Sequence, residues 1–254
     1  MIIIREVHFF NFTQTFFKGF IMDIALFTEE GFIMILRWLH FFAGVAWIGH
    51  LYYFNFVQGE FFKEIDAPVK NQAFSKLVPK ALWWFRWGAM GTFLSGVAML
   101  AFAGRDLGGD FMRTSYGIYI SIGALMGTIM FLNVWLVIWP RQKIMIASAN
   151  AVIGGGAADP RAAIVAPQAA LASRTNVVFS IPMLFFMGAC RHLGLSIPEG
   201  FSPGLVMGVT TLLILAIQFN ALKGKMGPMA TVRGVIHCGV GLLVVLYALV
   251  EVLV

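Results

Sequence analysis

The chain has 254 residues, 59% of them hydrophobic and only 12% charged, with a mean hydropathy of +0.84. Soluble domains carry about 25% charged residues, so composition excludes an ordinary water-soluble globule. The net charge of +6 is carried in short segments beside apolar runs, where basic residues act as topology signals. It therefore gives no support for a nucleic-acid partner.

Residues 1–30 begin MIIIREVHFFNFTQTFFKGFI. They lack the basic start and small-residue cleavage site of a secretory signal. Their pattern predicts an amphipathic segment lying at the membrane surface, with Met22 as an alternative start. Residues 31–254 predict a six-helix transmembrane domain, because apolar runs near the length needed to cross about 30 Å of hydrocarbon recur throughout. The spans fall at about 32–57, 81–103, 117–139, 176–193, 204–222 and 229–254. The fourth contains Pro182, which a membrane helix accommodates with a kink. The alternating ten-residue segments of an outer-membrane barrel are absent. The fold class is thus an all-α polytopic integral membrane helix bundle. The segment 141–174 contains GGGAADP and reads as a flexible connection with a short helix near 162–172.

Basic residues alternate between loops. Lys63, Lys70, Lys76 and Lys80 follow the first span. Arg141, Lys143, Arg161 and Arg174 follow the third, and Lys223, Lys225 and Arg233 the fifth. The positive-inside rule places these loops in the cytoplasm and both termini outside. In a bacterium this is the inner membrane, with periplasmic termini.

Four histidines lie inside spans: His40 and His50 in the first, His192 in the fourth, His237 in the sixth. At about 1.5 Å per residue, His40 and His192 fall toward the outside, His50 and His237 toward the inside. Two histidines at one depth on different helices can supply both axial ligands of a haem b, so the sequence predicts one or two haems. Arg37, one turn before His40, is a candidate partner for a propionate or an anionic substrate. The plainer reading treats these residues as polar helix-packing groups. Copper is a further alternative, because MGACRH and HC put soft sulfur ligands beside imidazole. Arg37 and Arg86 also fit snorkelling to the interface. Asn133, Gln218 and Asn220 suit hydrogen bonds between helices. The motifs H-E-x-x-H, Walker loop and nucleophile elbow do not occur. Buried carboxylates are almost absent from the spans, which argues against ion-coupled transport.

The stretches LRWLHFFAGVAWIGHLYYFNFV, WWFRWGAMGTFLSGVAML, GALMGTIMFLNVWLVIWPRQKIMI and RTNVVFSIPMLFFMGACRH resemble, in order, the membrane domain of the urate oxidase (urate hydroxylase) family. The resemblance covers about 33–192. It implies a bacterial inner-membrane protein linked to cytochrome c or a larger respiratory complex, with urate as substrate. His40 matches the histidine of the RWLH helix, and His192 the histidine closing the helix after P-x-L-F-x-M. His50 stands where longer members often carry a small residue. Longer members add a cytochrome c domain. This chain has no CxxCH and a shorter 103–117 region, so it is expected to be a short, stand-alone member, a subunit of a larger assembly, or a domain with a different substrate. The first span also resembles, more faintly, the LHxxxxxxW helix of haem-linked protoporphyrinogen oxidases and copper-resistance membrane proteins. Three functions follow: a haem-b electron-transfer subunit, a membrane urate oxidase, or an accessory structural subunit with no redox centre.

Overall fold

The computed structural model describes residues 24–254, so His8 and most of the predicted interfacial segment lie outside the described residues. Those described are mostly helical, with no strand among them, and six of their helices are long and apolar enough to cross a membrane. These are α1 (Glu29–Glu64), α3 (Val78–Arg113), α4 (Ser115–Ile153), α5 (Pro160–His192), α6 (Gly204–Lys223) and α7 (Val232–Leu253). A short helix, α2 (Ala67–Lys76), joins α1 to α3. The spans alternate in direction. One face of the bundle, the Glu29 end, therefore holds the start of α1, and the other, the α2 end, holds α2 and the turn at 154–159.

Helix starts follow local chemistry. Thr28, Asp66, Thr114, Asp159 and Thr231 each accept a hydrogen bond from a backbone N–H of the first turn, which satisfies otherwise orphaned donors. Three of these starts share a T-x-x-G pattern: Thr28 with Gly31, Thr114 with Gly117, Thr231 with Gly234. In each the preceding 3-10 turn folds a carbonyl, that of Ala25, Phe111 or Pro228, against the glycine, where a Cβ would collide with it. The repeat serves chain entry rather than chemistry.

The helices are longer than the predicted spans. At about 1.5 Å per residue, α4 measures about 58 Å, roughly twice the hydrocarbon thickness. The expected flexible connection over 141–174 is corrected: α4 continues to Ile153, α5 begins at Pro160, and only 154–159 breaks the helix. The Ala-rich sequence favours helix, Pro160 suits the first helical turn, and the two extensions pack on each other, with 139–153 also packing on α2. Asp159 caps α5, and its ion pair with Arg161 holds its carboxyl below the usual carboxylate range.

Helix α5 is the axis of the bundle. Two thirds of its apolar window is buried (67%), against 17% for α1. It packs on α4, α7 and α6, and touches the half of α1 nearer α2. Small residues permit the close approaches, as is usual between membrane helices. Gly123 and Gly127 of α4 face Met183 and Met187, and Gly239 of α7 faces Ile181 and Val178. Helix α1 packs chiefly on α3, where Gly88 meets the backbone of Ala43 and Trp47.

Candidate functional site

Both histidines of α1 have their ring orientation set by a neighbour. His40 is half-buried, with Nδ1 3.2 Å from Ser95 Oγ on α3. The Ser95 hydroxyl already donates to the Gly91 carbonyl at 2.6 Å. Its oxygen must therefore accept from His40 Nδ1–H. His50 Nδ1 lies 2.6 Å from the Ala46 carbonyl, which can only accept. Both imidazoles are thus held with the proton on Nδ1 and a free lone pair on Nε2. That is how metal-ligating histidines are commonly oriented. Gly96 lies under the His40 ring, since a Cβ there would stand 3.1 Å from Cε1. Beside it, Leu36, Leu39, Phe42 and Leu94 line an apolar groove between α1 and α3.

The Tyr52 hydroxyl meets Ser180 Oγ at 2.9 Å, which sets the register of α1 against the antiparallel α5. His40 precedes Tyr52 by the same twelve residues that separate Ser180 from His192. Both therefore lie about 18 Å from that bond toward the Glu29 end. Arg191, whose guanidinium lies 4.7 Å over the Tyr116 ring, stands at this level too, and Arg37 lies one turn from His40 toward the Glu29 end. His192 is the exposed last residue of α5. The structure brings these groups to one level without a recorded bond between the two histidines.

His50 and His237 are not brought together in the same way. The buried stripe of α7 is Val235, Gly239, Leu242, Leu246 and Val250. His237, two residues before Gly239, lies about 200° around the helix, is exposed and faces away from α5. Helix α7 packs on α5 and α6, whereas α1 packs on α3. Cys190 is buried and donates to the Met187 carbonyl at 3.1 Å. No cluster of three or more metal-binding side chains occurs among the described residues.

A second polar centre lies toward the α2 end, around Ser173, Arg174, Thr175 and Asn176 of α5. Asn133 of α4 donates to Asn176 Oδ1 at 2.8 Å and to Gln218 Oε1 of α6 at 2.9 Å, and accepts from Gln218 Nε2 at 2.7 Å. Asn176 donates to the Met130 carbonyl at 3.1 Å. From the other side, Asn55 of α1 donates to Ser173 Oγ at 2.8 Å. Both asparagines belong to π-helical segments, Tyr53–Gln58 and Asn133–Ile138. Such segments widen a helix locally and often occur at functional sites.

This centre corrects several expectations. Arg174 is no loop residue but a buried side chain of α5. Arg86 does not simply snorkel: it sits 3.5 Å over the Trp139 ring and donates to the Leu82 carbonyl. The interhelical role expected for Asn133 and Gln218 is realised, whereas Asn220 closes the end of α6 on Lys225. Asn55, Gln58 and Asn176 were missed as site residues. The available signal for Asn176 was the run SRTN standing before an apolar stretch, divided in the sequence reading between the end of a loop and the first residue of a span.

Comparison with curated proteins and with solved structures found no match. One family model, Urate oxidase N-terminal, matches residues 111–250. That stretch takes in α4 to α7 and the SRTN centre, and covers more than half of the chain. The chain belongs to the urate oxidase N-terminal family.

Proposed function

We propose that this chain is a membrane redox domain of the urate-oxidising type that holds a haem b through His40 of α1. The observation that carries the reading is the His40 environment: Nδ1–H committed to Ser95, Nε2 free, a glycine under the ring and an apolar groove alongside. On α1 the residues present fit the group. His192 shares its level and is the candidate second ligand, with Arg37 and Arg191 suited to propionates or an anionic substrate. His50 has the same free Nε2 and is the next candidate, and His237 follows it. A b-type haem would supply one-electron transfer, matched to cytochrome c or a larger respiratory assembly as partner.

The test is a reduced-minus-oxidised spectrum of the purified protein. A b-type α-band is expected. His40→Ala should remove most of it while the thermal melting curve stays cooperative. Loss on His50→Ala alone would move the ligand to the other α1 histidine, and a wild-type spectrum without the band would end the haem reading. The urate reading rests on family membership. It expects urate-dependent reduction of added cytochrome c above a protein-free control.

The orientation supported by charge puts the α2 end in the bacterial cytoplasm, since Lys63, Lys70, Lys76, Arg141, Lys143, Lys223 and Lys225 lie there. A cysteine introduced at Gly155 should resist membrane-impermeant thiol reagents in intact cells and react after lysis. Labelling in intact cells would invert the topology.

A further inference from the structure

The polar centre at the α2 end contains groups that its own network leaves unused. Arg174 is buried, with 10% of its side chain exposed, and its Nη1 has no partner among the described residues. Its ion-pair contact with Glu60 is long, 3.8 Å, and the Glu60 carboxylate is already held by Lys63 at 2.8 and 2.9 Å. Gln58, on the π-helical segment of α1, is also buried, and its Oε1 has no partner among the described residues. The two are level. Asn55 is bonded to Ser173, the residue before Arg174, and Glu60 approaches the Arg174 guanidinium. Gln58 lies between Asn55 and Glu60 on the same helix. On α4, Asn133 bonds Asn176, so Trp135 is level with Arg174, and its indole N–H is likewise buried without a partner.

Burying a guanidinium without a full counter-charge is unfavourable, and an unpaired buried amide oxygen adds to the cost. Buried polar groups in native structures are nearly always satisfied, so each exception calls for an explanation, a bound ion among them. We infer that Arg174 and Gln58 form a subsite for a small planar anion that offers an oxygen to the guanidinium and an N–H to the amide oxygen. The choice of probe rests on the urate reading. An ionised urate ring has a carbonyl oxygen beside a ring N–H, whereas inorganic phosphate has no N–H to offer. A phosphoethanolamine headgroup shares the pairing of anionic oxygen and N–H, so the test separates the two sources.

The experiment is equilibrium dialysis of labelled urate against the full-length protein in detergent, alongside native mass spectrometry for retained phospholipid. Wild type should bind urate, with no displacement by equimolar inorganic phosphate. Arg174→Gln should weaken binding at least tenfold. Because that variant removes a buried group and can fail to fold, Gln58→Glu is the second arm. Its carboxylate would pair with Arg174, so the melting temperature should hold or rise while urate affinity falls at least tenfold. Equal urate affinity in wild type and Gln58→Glu would overturn the subsite and leave the urate reading standing. Phospholipid retained by wild type, lost from Gln58→Glu and not displaced by urate, would overturn it in favour of a headgroup site. A wild type that binds no urate yet shows the b-type band would overturn this ligand and leave the haem reading intact. Tenfold loss in both variants without a b-type band would uphold the subsite and end the haem reading.

Discussion

Gly88→Leu is expected to separate α1 from α3 and to remove the His40 site with it. A single Cβ at Gly88 would lie 2.9 Å from the Trp47 backbone nitrogen and 3.0 Å from the Ala43 carbonyl. Both are backbone atoms of α1, so no side-chain rotation relieves the contact. Overpacking in a well-packed interior costs about 1–3 kcal/mol, and leucine adds three further carbons at this point. The α1–α3 pair would have to open, and the bond from His40 to Ser95 would be lost with it. Thermal melting of the purified protein and the b-type band should both report the change. Gly188→Leu is the control, because nothing lies within 4 Å of a Cβ there. Melting of Gly88→Leu at the wild-type temperature would show that α1 is not held to α3 by this contact.

Asn133→Leu is expected to destabilise the bundle by about 2–4 kcal/mol. The side chain makes three bonds, to Asn176 and twice to Gln218. Single hydrogen bonds between membrane helices average about 0.6 kcal/mol and reach about 1.7. Stranding a buried polar partner costs about 1–3 kcal/mol. Here the half-buried Gln218 would lose both of its bonds to Asn133, whereas Asn176 would keep its bond to Met130. Adding Gln218→Leu should therefore recover part of the loss, which a double-mutant cycle measures directly. An Asn133→Leu protein within about 0.5 kcal/mol of wild type would show that the network contributes specificity without stability.

The spans were legible in the sequence because hydrophobicity is additive along the chain, and the described residues contain six helices long and apolar enough to cross a membrane. Their ends were not. Ala-rich stretches beyond the bilayer resemble loops by hydropathy, and it is packing of 139–153 against α2 and α5 that makes them helix. That error hid Arg174 in a presumed connection and left Asn176 at the very edge of a span. Asn133 and Gln218 were found because polar residues inside an apolar run stand out wherever the span ends lie.

The histidines divide along the same line. Residue spacing was enough to level His40 with His192, since rise per residue is a property of the helix itself, and the Tyr52–Ser180 bond gives the same level. Family resemblance, too, was present in the residues, and the family match over 111–250 agrees with it. Which way each imidazole faces was decided only by tertiary structure. His40 turns to α3 because Ser95 is there to accept its proton. His237 faces outward because Gly239 takes the contact with α5. The unpaired Arg174 and Gln58 likewise belong to tertiary structure alone. Composition and periodicity determine which segments enter the membrane, but whether a buried group has a partner depends on a neighbour from another helix, which no local pattern records.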